Sequence, residues 1–181
     1  MIAGAKVALV PKSLADARRD YLWQKDEELA HLTGRAPLRT SFVQYLTQHT
    51  PGYRAQGNIQ QLAIKTIAEG RHIGNCAIYN LSTEGSEGEL GIVIGERAFW
   101  GKGYGYDAMQ ALLGCVFQDM GLQRVHLTTL LDNTRAQRCF ARCGFRVNGS
   151  TVRGGYTFLL MELRAEDYAR RGLAQLAGQK A

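Results

Sequence analysis

One stretch of the sequence decides the fold class. Its first part, Glu89-Leu90-Gly91-Ile92-Val93-Ile94, is rich in β-formers, and its second part is Trp100-Gly101-Lys102-Gly103-Tyr104-Gly105. Good helix formers follow from Tyr106 to Met120, and Gly121 ends that segment. A strand, a glycine-rich loop and a helix in this order leave unpaired amides at the positive end of the helix dipole. The stretch therefore predicts a phosphate-binding loop.

The segments on either side predict a mixed α/β fold. Upstream, two β-rich segments, 59–67 and 72–80, lead into the segment 89–94 with connections too short for a crossover helix, which indicates antiparallel pairing. Downstream come a β-rich segment, a helix capped by Asp132-Asn133, and a β-hairpin around Arg153-Gly154-Gly155. The predicted strands are 6–10, 59–67, 72–80, 89–94, 125–131, 145–152 and 156–163, and the predicted helices are 13–32, 40–48, 106–120, 133–143 and 166–181.

The size and charge of the chain exclude several classes of protein. Its 181 residues fit a single core. The 22 Lys and Arg against 16 Asp and Glu give a net charge of +6, but no run of five like charges occurs, so we do not expect a nucleic-acid partner. No apolar run reaches the roughly 20 residues of a membrane-spanning helix, and the first ten residues do not read as a signal peptide. We therefore expect a cytoplasmic protein with no membrane partner.

The cysteines do not predict a metal site. The four of them (Cys76, Cys115, Cys139 and Cys143) include no Cys-x-x-Cys pair, and a chain of this length needs no disulfide. Cys139 and Cys143 are four residues apart on a predicted helix, but no His or Asp at ligand spacing joins them. We expect small, reduced thiols and no metal.

Three kinds of phosphate-binding loop can be compared with the glycine-rich segment. A Walker loop needs a hydroxyl after its lysine, but Gly103 follows Lys102. A dinucleotide-binding loop needs a third glycine, but Tyr106 follows Gly105. A loop for the pyrophosphate of coenzyme A remains.

Two motifs resemble the GCN5-related N-acetyltransferases, the GNAT superfamily. Gly103-Tyr104-Gly105 is similar to the second half of the family's Gln/Arg-x-x-Gly-x-Gly/Ala, with Trp100 at the first position as in its ribosomal-protein acetyltransferase branch. Asn133-x-x-Ala136-x-x-x-Phe140-x-x-x-Gly144-Phe145 resembles a second, more distant motif of the family. The two motifs stand in the family's order and are joined by a predicted strand.

The resemblance implies a GNAT domain over residues 1–165 and a short helical tail over 166–181. It implies a mostly antiparallel sheet, flanked by helices and splayed into a V-shaped cleft between the fourth and fifth predicted strands. Acetyl-CoA would lie in the cleft, its pantetheine arm bonded to the backbone of a strand like an added strand. Asn133 either hydrogen-bonds the arm or only caps its helix. The implied cofactor contacts are Ile92, Val93, Ile94, Gly101, Lys102, Gly103, Tyr104, Gly105, Tyr106, Asn133, Ala136 and Phe140.

Two residues are the candidates for catalysis. Glu89 stands where histone acetyltransferases of the family carry a glutamate base, and its alternative role is a rim carboxylate beside Glu84 and Glu87. Asn133 is the second candidate. His126 is a weaker candidate for the base, and a packed strand histidine is the alternative.

The residue at the position of the general acid differs from the family pattern. Family members that protonate the leaving thiolate with a tyrosine place it where Phe140 stands, and phenylalanine has no proton to donate. Backbone amides could assist the thiolate, or Thr134 or Tyr104 could replace the tyrosine.

The predicted function is transfer of acetyl from acetyl-CoA to a primary amine, such as a protein N-terminus, in a ternary complex. One alternative acceptor is a small amine such as an amino sugar, an antibiotic or a polyamine. A polyamine would need carboxylates in the cleft, which Asp26, Glu27, Glu28, Glu87 and Glu89 could supply. Another alternative is a catalytically silent acyl-CoA-binding module.

Three further features bear on partners. The resemblance is compatible with a homodimer. Trp23, Tyr45 and Tyr53 lie where relatives build the acceptor pocket. Arg135, Arg138 and Arg142 share one face of a predicted helix and could meet either phosphate or water.

Overall fold

The computed structural model describes residues 1–49, 60–82, 84 and 86–178. Its strands are β1 Ile2–Ala3, β2 Val7–Pro11, β3 Gln60–Thr66, β4 His72–Tyr79, β5 Glu87–Ile94, β6 Arg124–Leu130, β7 Arg146–Arg153 and β8 Tyr156–Arg164. Its helices are α1 Ala17–Lys25, α2 Glu27–Leu32, α3 Phe42–His49, α4 Tyr104–Gly114, α5 Thr134–Cys143 and α6 Ala165–Gly178. The mixed α/β fold class is confirmed.

The strands form one eight-stranded sheet that opens beside β5. The strand order is β1-β2-β3-β4-β5-β6-β8-β7, and every pair is antiparallel except β5 with β6. These two parallel strands are in register only over Glu87–Glu89 and Arg124–His126. Beyond Glu89 they separate, and β5 keeps β4 as its partner through Ile94. The predicted cleft lies at this gap, between β5 and β6. The prediction numbered these strands fourth and fifth because the sequence did not reveal the two-residue strand β1.

The predicted helix over 13–32 is interrupted. A 3-10 turn covers Leu14–Asp16, and α1 and α2 are separated at Asp26, whose backbone is extended (φ −69°, ψ 122°). The Asp26 carboxylate accepts a hydrogen bond from the amide of Leu29 at 3.0 Å. An aspartate at this position caps a new helix N-terminus, and this local preference competes with continuing the first helix.

Helix α4 packs one face of the sheet. Its side chains Ala108, Met109, Leu112 and Leu113 are fully buried in the main core. The prediction began this helix at Tyr106, two residues late, because Gly103 in the left-handed region (φ 83°) already serves as the N-cap. A π-helical turn, Cys115–Asp119, continues the helix toward Met120.

The first helices lie against the opposite face of the sheet. Lys65 on β3 pairs with Asp16 at 3.1 Å, and Asn75 on β4 donates to Asp20 at 2.7 Å. Lys65 and Asn75 alternate along their strands with Ile64 and Cys76, which belong to the main core. Ala17, Tyr21 and Tyr45 form a second, smaller core between α1 and α3. The face of β5 that carries Glu89 is therefore turned toward α1 and α2.

The N-terminal turn is tied to the beginning of α4 by one carboxylate. Asp107 accepts hydrogen bonds from the amides of Ala5, Lys6 and Val7 at 2.9, 2.7 and 3.0 Å. The ammonium of Lys6 then donates to the carbonyl of Lys102 at 2.9 Å. The turn between β1 and β2 thus holds the glycine-rich loop in place through hydrogen bonds to Asp107 and Lys102.

The tail helix α6 packs on the domain. The Tyr168 ring packs in a tilted arrangement against Phe117 with ring centroids 5.1 Å apart, and Arg171 donates to the carbonyl of Arg142 at 2.9 Å. Within the described ranges, none of the helices has the length and apolar character that crossing a membrane requires.

Candidate active site

Two adjoining cavities lie at the gap between β5 and β6. The loop groove, about 300 Å³, is bordered by the end of β5, the glycine-rich loop and α5. The helix cavity, about 560 Å³, is bordered by α1, α2, β4, β5 and β6. The residues that line both are Leu29, Leu32, Thr33, Ile92, Val93, Asn133, Ala136 and Phe140. We call these residues the shared wall. A ligand bound in the loop groove and a ligand bound in the helix cavity could meet beside them.

The glycine-rich loop leaves its backbone open to the groove. Gly101 (φ 71°) and Gly103 (φ 83°) are both in the left-handed region, which favours glycine. A Cβ atom at Gly101 would meet nothing within 4 Å, and one at Gly103 would meet only the ammonium of Lys6, at 3.6 Å. The N-cap Gly103 supplies no side-chain cap to α4. The amides of the first turn can therefore bind an anion.

Four of the six predicted loop residues line the groove, and two do not. Gly101, Gly103, Gly105 and Tyr106 border it. The Lys102 side chain is exposed, and the Tyr104 ring packs edge-on against Phe99 with centroids 4.9 Å apart. Neither of these two side chains lines either cavity.

Strand β5 offers an open backbone edge to the groove. Ile92 and Val93 line both cavities, and Ile94 lines the loop groove. Because β6 pairs with β5 only up to Glu89, no strand among the residues that the structure describes pairs with the backbone of these three residues on that side. Trp100 donates its indole N–H to the Ile94 carbonyl at 2.6 Å. Sequence reasoning noted Trp100 only as a departure from the usual Gln/Arg and missed this bond.

Asn133 performs the capping role and also contacts α2. Its carbonyl oxygen accepts from the amide of Ala136 at 3.2 Å, and its amide nitrogen donates to the carbonyl of Leu32 at 3.4 Å. Asn133 and Ala136 both line the two cavities. The second N–H of the Asn133 amide is the group that can contact a ligand.

Phe140 lies between the core and the cavities. It is 6% exposed, packs edge-on against Phe145 at 6.0 Å, and lines both cavities. The two hydroxyls considered as replacement acids lie elsewhere: Thr134 is exposed and contacts Arg138, and Tyr104 packs on Phe99. Neither lines a cavity, so neither is retained as the acid.

Replacing Phe140 with tyrosine is expected to keep stability and to maintain or raise kcat. A hydroxyl at this position can project into the cavities, and general-acid help is worth about 10²-fold or more where protonation limits the rate. Phe145→Tyr is the matched control, because Phe145 is 3% exposed and lines neither cavity. An unpaired buried hydroxyl there should cost about 1–3 kcal/mol of stability. Melting temperature and kcat separate the outcomes, and equal destabilisation by both variants would make Phe140 a packing residue only.

Glu89 borders the helix cavity at the last paired position before the gap. Its carboxylate accepts a hydrogen bond from the side-chain amide of Asn80 at 2.9 Å. Asn80 itself has a left-handed backbone (φ 50°), which asparagine tolerates better than most residues. His126 is in register with Glu89 on β6 and has a buried Nδ1 without a hydrogen-bond partner among the described residues, but it lines neither cavity.

Tyr79 is a cavity residue that sequence reasoning missed. It lies opposite Glu89 in the β4–β5 register and lines the helix cavity. Burial raises the pKa of the Tyr79 hydroxyl, which therefore keeps its proton at neutral pH. Of the three aromatic residues expected in the acceptor region, Trp23 and Tyr45 line this cavity, and Tyr53 lies outside the described residues.

The cysteines are free thiols, and one of them reaches the groove. Cys76 and Cys143 are buried, and Cys139 lines the loop groove. A hydrogen bond from Cys143 lowers the pKa of Cys139. In the part of the chain that the structure describes, no three His, Cys, Asp or Glu side chains converge as metal ligands would.

Comparison with known proteins identifies the family. The model of the acetyltransferase (GNAT) domain matches residues 6–146. The chain belongs to the GNAT acetyltransferase family. It is also similar to the N-acetyltransferase 9-like protein of Caenorhabditis briggsae, with 26% identity over 187 residues that cover 96% of this chain and 92% of the relative.

Solved structures share this GNAT fold. The spermidine N-acetyltransferase of Vibrio cholerae, solved with CoA and spermine, has a TM-score of 0.78 at 16% identity and covers 90% of this chain and 98% of its own. A GNAT acetyltransferase from Bacillus anthracis has a TM-score of 0.77 at 18% identity, with coverages of 91% and 98%. The aminoglycoside acetyltransferase AAC(6')-Ib, solved with coenzyme A, has a TM-score of 0.75 at 20% identity, with the same coverages.

The loop groove suits the co-substrate of GNAT acetyltransferases, acetyl-CoA. The open backbone at Gly101 and Gly103 can receive a diphosphate, and the free edge of β5 can receive the amides of the pantetheine arm. The chain is thus an N-acetyltransferase with acetyl-CoA as co-substrate.

Proposed function

We propose that this GNAT enzyme transfers acetyl directly from acetyl-CoA to the α-amine of a protein N-terminus. The observation that carries the proposal is the shared wall of the two cavities, with Glu89 on the helix-cavity side. The wall allows a thioester in the groove and an amine in the cavity to meet without a covalent enzyme intermediate. As part of this proposal, Trp100 before Gly101 supports a place in the ribosomal-protein branch.

Glu89 is the proposed base. Bound acetyl-CoA supplies an activated acetyl group as a thioester. An amine attacks only when it is neutral, and the Glu89 carboxylate can accept the proton of the incoming ammonium directly or through one water. The hydrogen bond from Asn80 holds this carboxylate in place. Asn133 and Phe140 are proposed to line the end of the pantetheine arm.

The distribution of carboxylates supports an acceptor with one ammonium group rather than a polyamine. Four of the five carboxylates considered for a polyamine site are paired with arginines, and only Glu89 lines the helix cavity. The pairs are Asp26–Arg97 (2.7 Å), Glu28–Arg97 (2.8 Å), Glu27–Arg39 (3.4 Å) and Glu87–Arg124 (2.6 Å). The other carboxylate lining the cavity, Asp20, pairs with Lys12 at 2.6 Å.

An acceptor panel tests this proposal. Acetyl-CoA is incubated with the protein and peptides that have a free N-terminus, the same peptides with a blocked N-terminus and an internal lysine, spermidine, or kanamycin. Mass spectrometry locates the acetyl group, and a thiol assay measures CoA release. We expect N-terminal acetylation matched by CoA release. Acetylation confined to spermidine or kanamycin would contradict the acceptor class, and binding of acetyl-CoA without any transfer would indicate the silent module.

A further inference from the structure

Arg35 is a cation at the mouth of the helix cavity. It lines the cavity and is exposed to solvent. Among the residues that the structure describes, no Asp or Glu lies within ion-pair distance of its guanidinium. Lys12 and Asp20, which also line the cavity, pair with each other at 2.6 Å. Arg35 therefore presents a positive charge to a ligand that enters the cavity.

Tyr79 lies between the influence of this cation and that of Glu89. The Tyr79 ring lies over Gly91 of β5, where an added Cβ atom would be 3.5 Å from the hydroxyl oxygen. Burial is the main cause of the raised pKa of Tyr79; the charge of Arg35 opposes this shift, and the charge of Glu89 adds to it. Both charges act on one hydroxyl, yet in the described part of the chain they form no ion pair with each other. The space between them suits an acceptor that carries both an ammonium group and a carboxylate.

A second arginine lies beside the same mouth. The Arg153 guanidinium is 5.3 Å from the centroid of the Phe158 ring, which lines the helix cavity. The same ring packs against Gly34, the residue before Arg35, so closely that a Cβ atom at Gly34 would overlap it. Within the described ranges, Arg153 has no Asp or Glu at ion-pair distance either. The opening of the cavity near Phe158 is therefore positively charged.

A protein N-terminus that enters this cavity would pass these charges in a fixed order. When its amine is at Glu89, the chain leads from there toward solvent, and each extended residue spans about 3.3–3.6 Å. The second and third residues then lie within about 10 Å of the amine. An acidic side chain there can form charge-assisted hydrogen bonds with a guanidinium, whereas a basic side chain is repelled.

We infer that Arg35, with Arg153 beside it, forms a subsite for acidic side chains at the second and third positions of the acceptor. The subsite makes the enzyme select proteins whose N-terminal segment is acidic. The net charge of +6 also favours the approach of such a segment. The inference rests on the proposed acetylation of protein N-termini and names the class of N-terminus.

Three peptides that differ only at positions two and three test the subsite. They begin with Ser-Asp-Glu, Ser-Asn-Gln or Ser-Lys-Lys and continue with the same neutral sequence. At low salt, the wild-type kcat/KM is expected to be about tenfold higher for the acidic peptide than for the amide peptide, chiefly through a lower KM. The basic peptide should be the poorest acceptor. Raising the salt from about 0.05 to about 0.5 M should reduce the ratio of acidic to amide peptide, because salt screens exposed charges.

Two substitutions at Arg35 separate the subsite from a general effect of charge. Arg35→Gln should bring the ratio of acidic to amide peptide close to one by raising KM for the acidic peptide, and Arg35→Glu should favour the basic peptide. Both variants are expected to fold because Arg35 is exposed, and melting temperature checks this. Arg39→Gln is the matched control, since Arg39 is exposed in the same connection between α2 and α3 but pairs with Glu27 and lines neither cavity. It should keep the wild-type ratio.

The possible failures of the two proposals differ. Equal wild-type kcat/KM for the acidic and amide peptides, or an unchanged ratio in Arg35→Gln, would overturn the acidic subsite and leave N-terminal acetylation standing. If none of the three peptides were acetylated, the proposed function and the subsite would both be wrong.

Discussion

Replacing Gly103 with glutamate is expected to abolish acetyl-CoA binding, with a loss of affinity of about 100-fold or more. The new carboxylate would stand in front of the amides that receive the diphosphate, where it both repels the anion and fills its space. The left-handed backbone at Gly103 adds a strain of roughly 1–2 kcal/mol. The ammonium of Lys6, 3.6 Å from the position of the added Cβ, offers the carboxylate a partner, so the variant is expected to fold. Calorimetry and melting temperature measure the two effects separately.

Gly154→Glu controls for strain and charge. Gly154 also has a left-handed backbone (φ 57°) with nothing within 4 Å of an added Cβ, but it lies in the turn between β7 and β8. It should show a similar strain and wild-type affinity for acetyl-CoA. Unchanged affinity in Gly103→Glu would show that the diphosphate does not bind at this loop.

Replacing Glu89 with glutamine is expected to slow transfer by about 10²-fold near pH 6.5 and by much less near pH 9. An α-amine has a pKa near 8, so below neutral pH most of the acceptor is protonated and requires a base. Glutamine keeps the size and the contact with Asn80 but cannot accept that proton. The pH dependence of kcat/KM for the acceptor should steepen, whereas the affinity for acetyl-CoA should not change.

The control for this prediction is Glu84→Gln, an exposed carboxylate in the turn before β5. It should retain the wild-type pH profile. If Glu89→Gln also retained that profile, Glu89 would be a rim carboxylate rather than the base.

Local signals were sufficient for the glycine-rich loop and for α5. Gly103 begins α4 because only glycine adopts its left-handed backbone without strain, and Asn133 caps α5 through its own side chain. Local signals did not predict the break at Asp26. This residue is the N-cap of α2, but it lies within a sequence pattern that is otherwise typical of one continuous helix. The sequence also could not predict side-chain directions within the loop, where the Tyr104 ring packs on Phe99 and the Lys102 side chain is exposed.

The sequence by itself predicted the order of strands β2–β8, the glycine-rich loop before α4 and the position of Glu89 on the strand beside the gap, because periodicity and capping act over a few residues. Only the tertiary structure decided which carboxylates remain available to an acceptor. Arg97 pairs with Asp26 and Glu28, about seventy positions away in the chain, and Arg124 pairs with Glu87 across two strands. Such pairs depend on the packing of distant elements, and no local pattern encodes them.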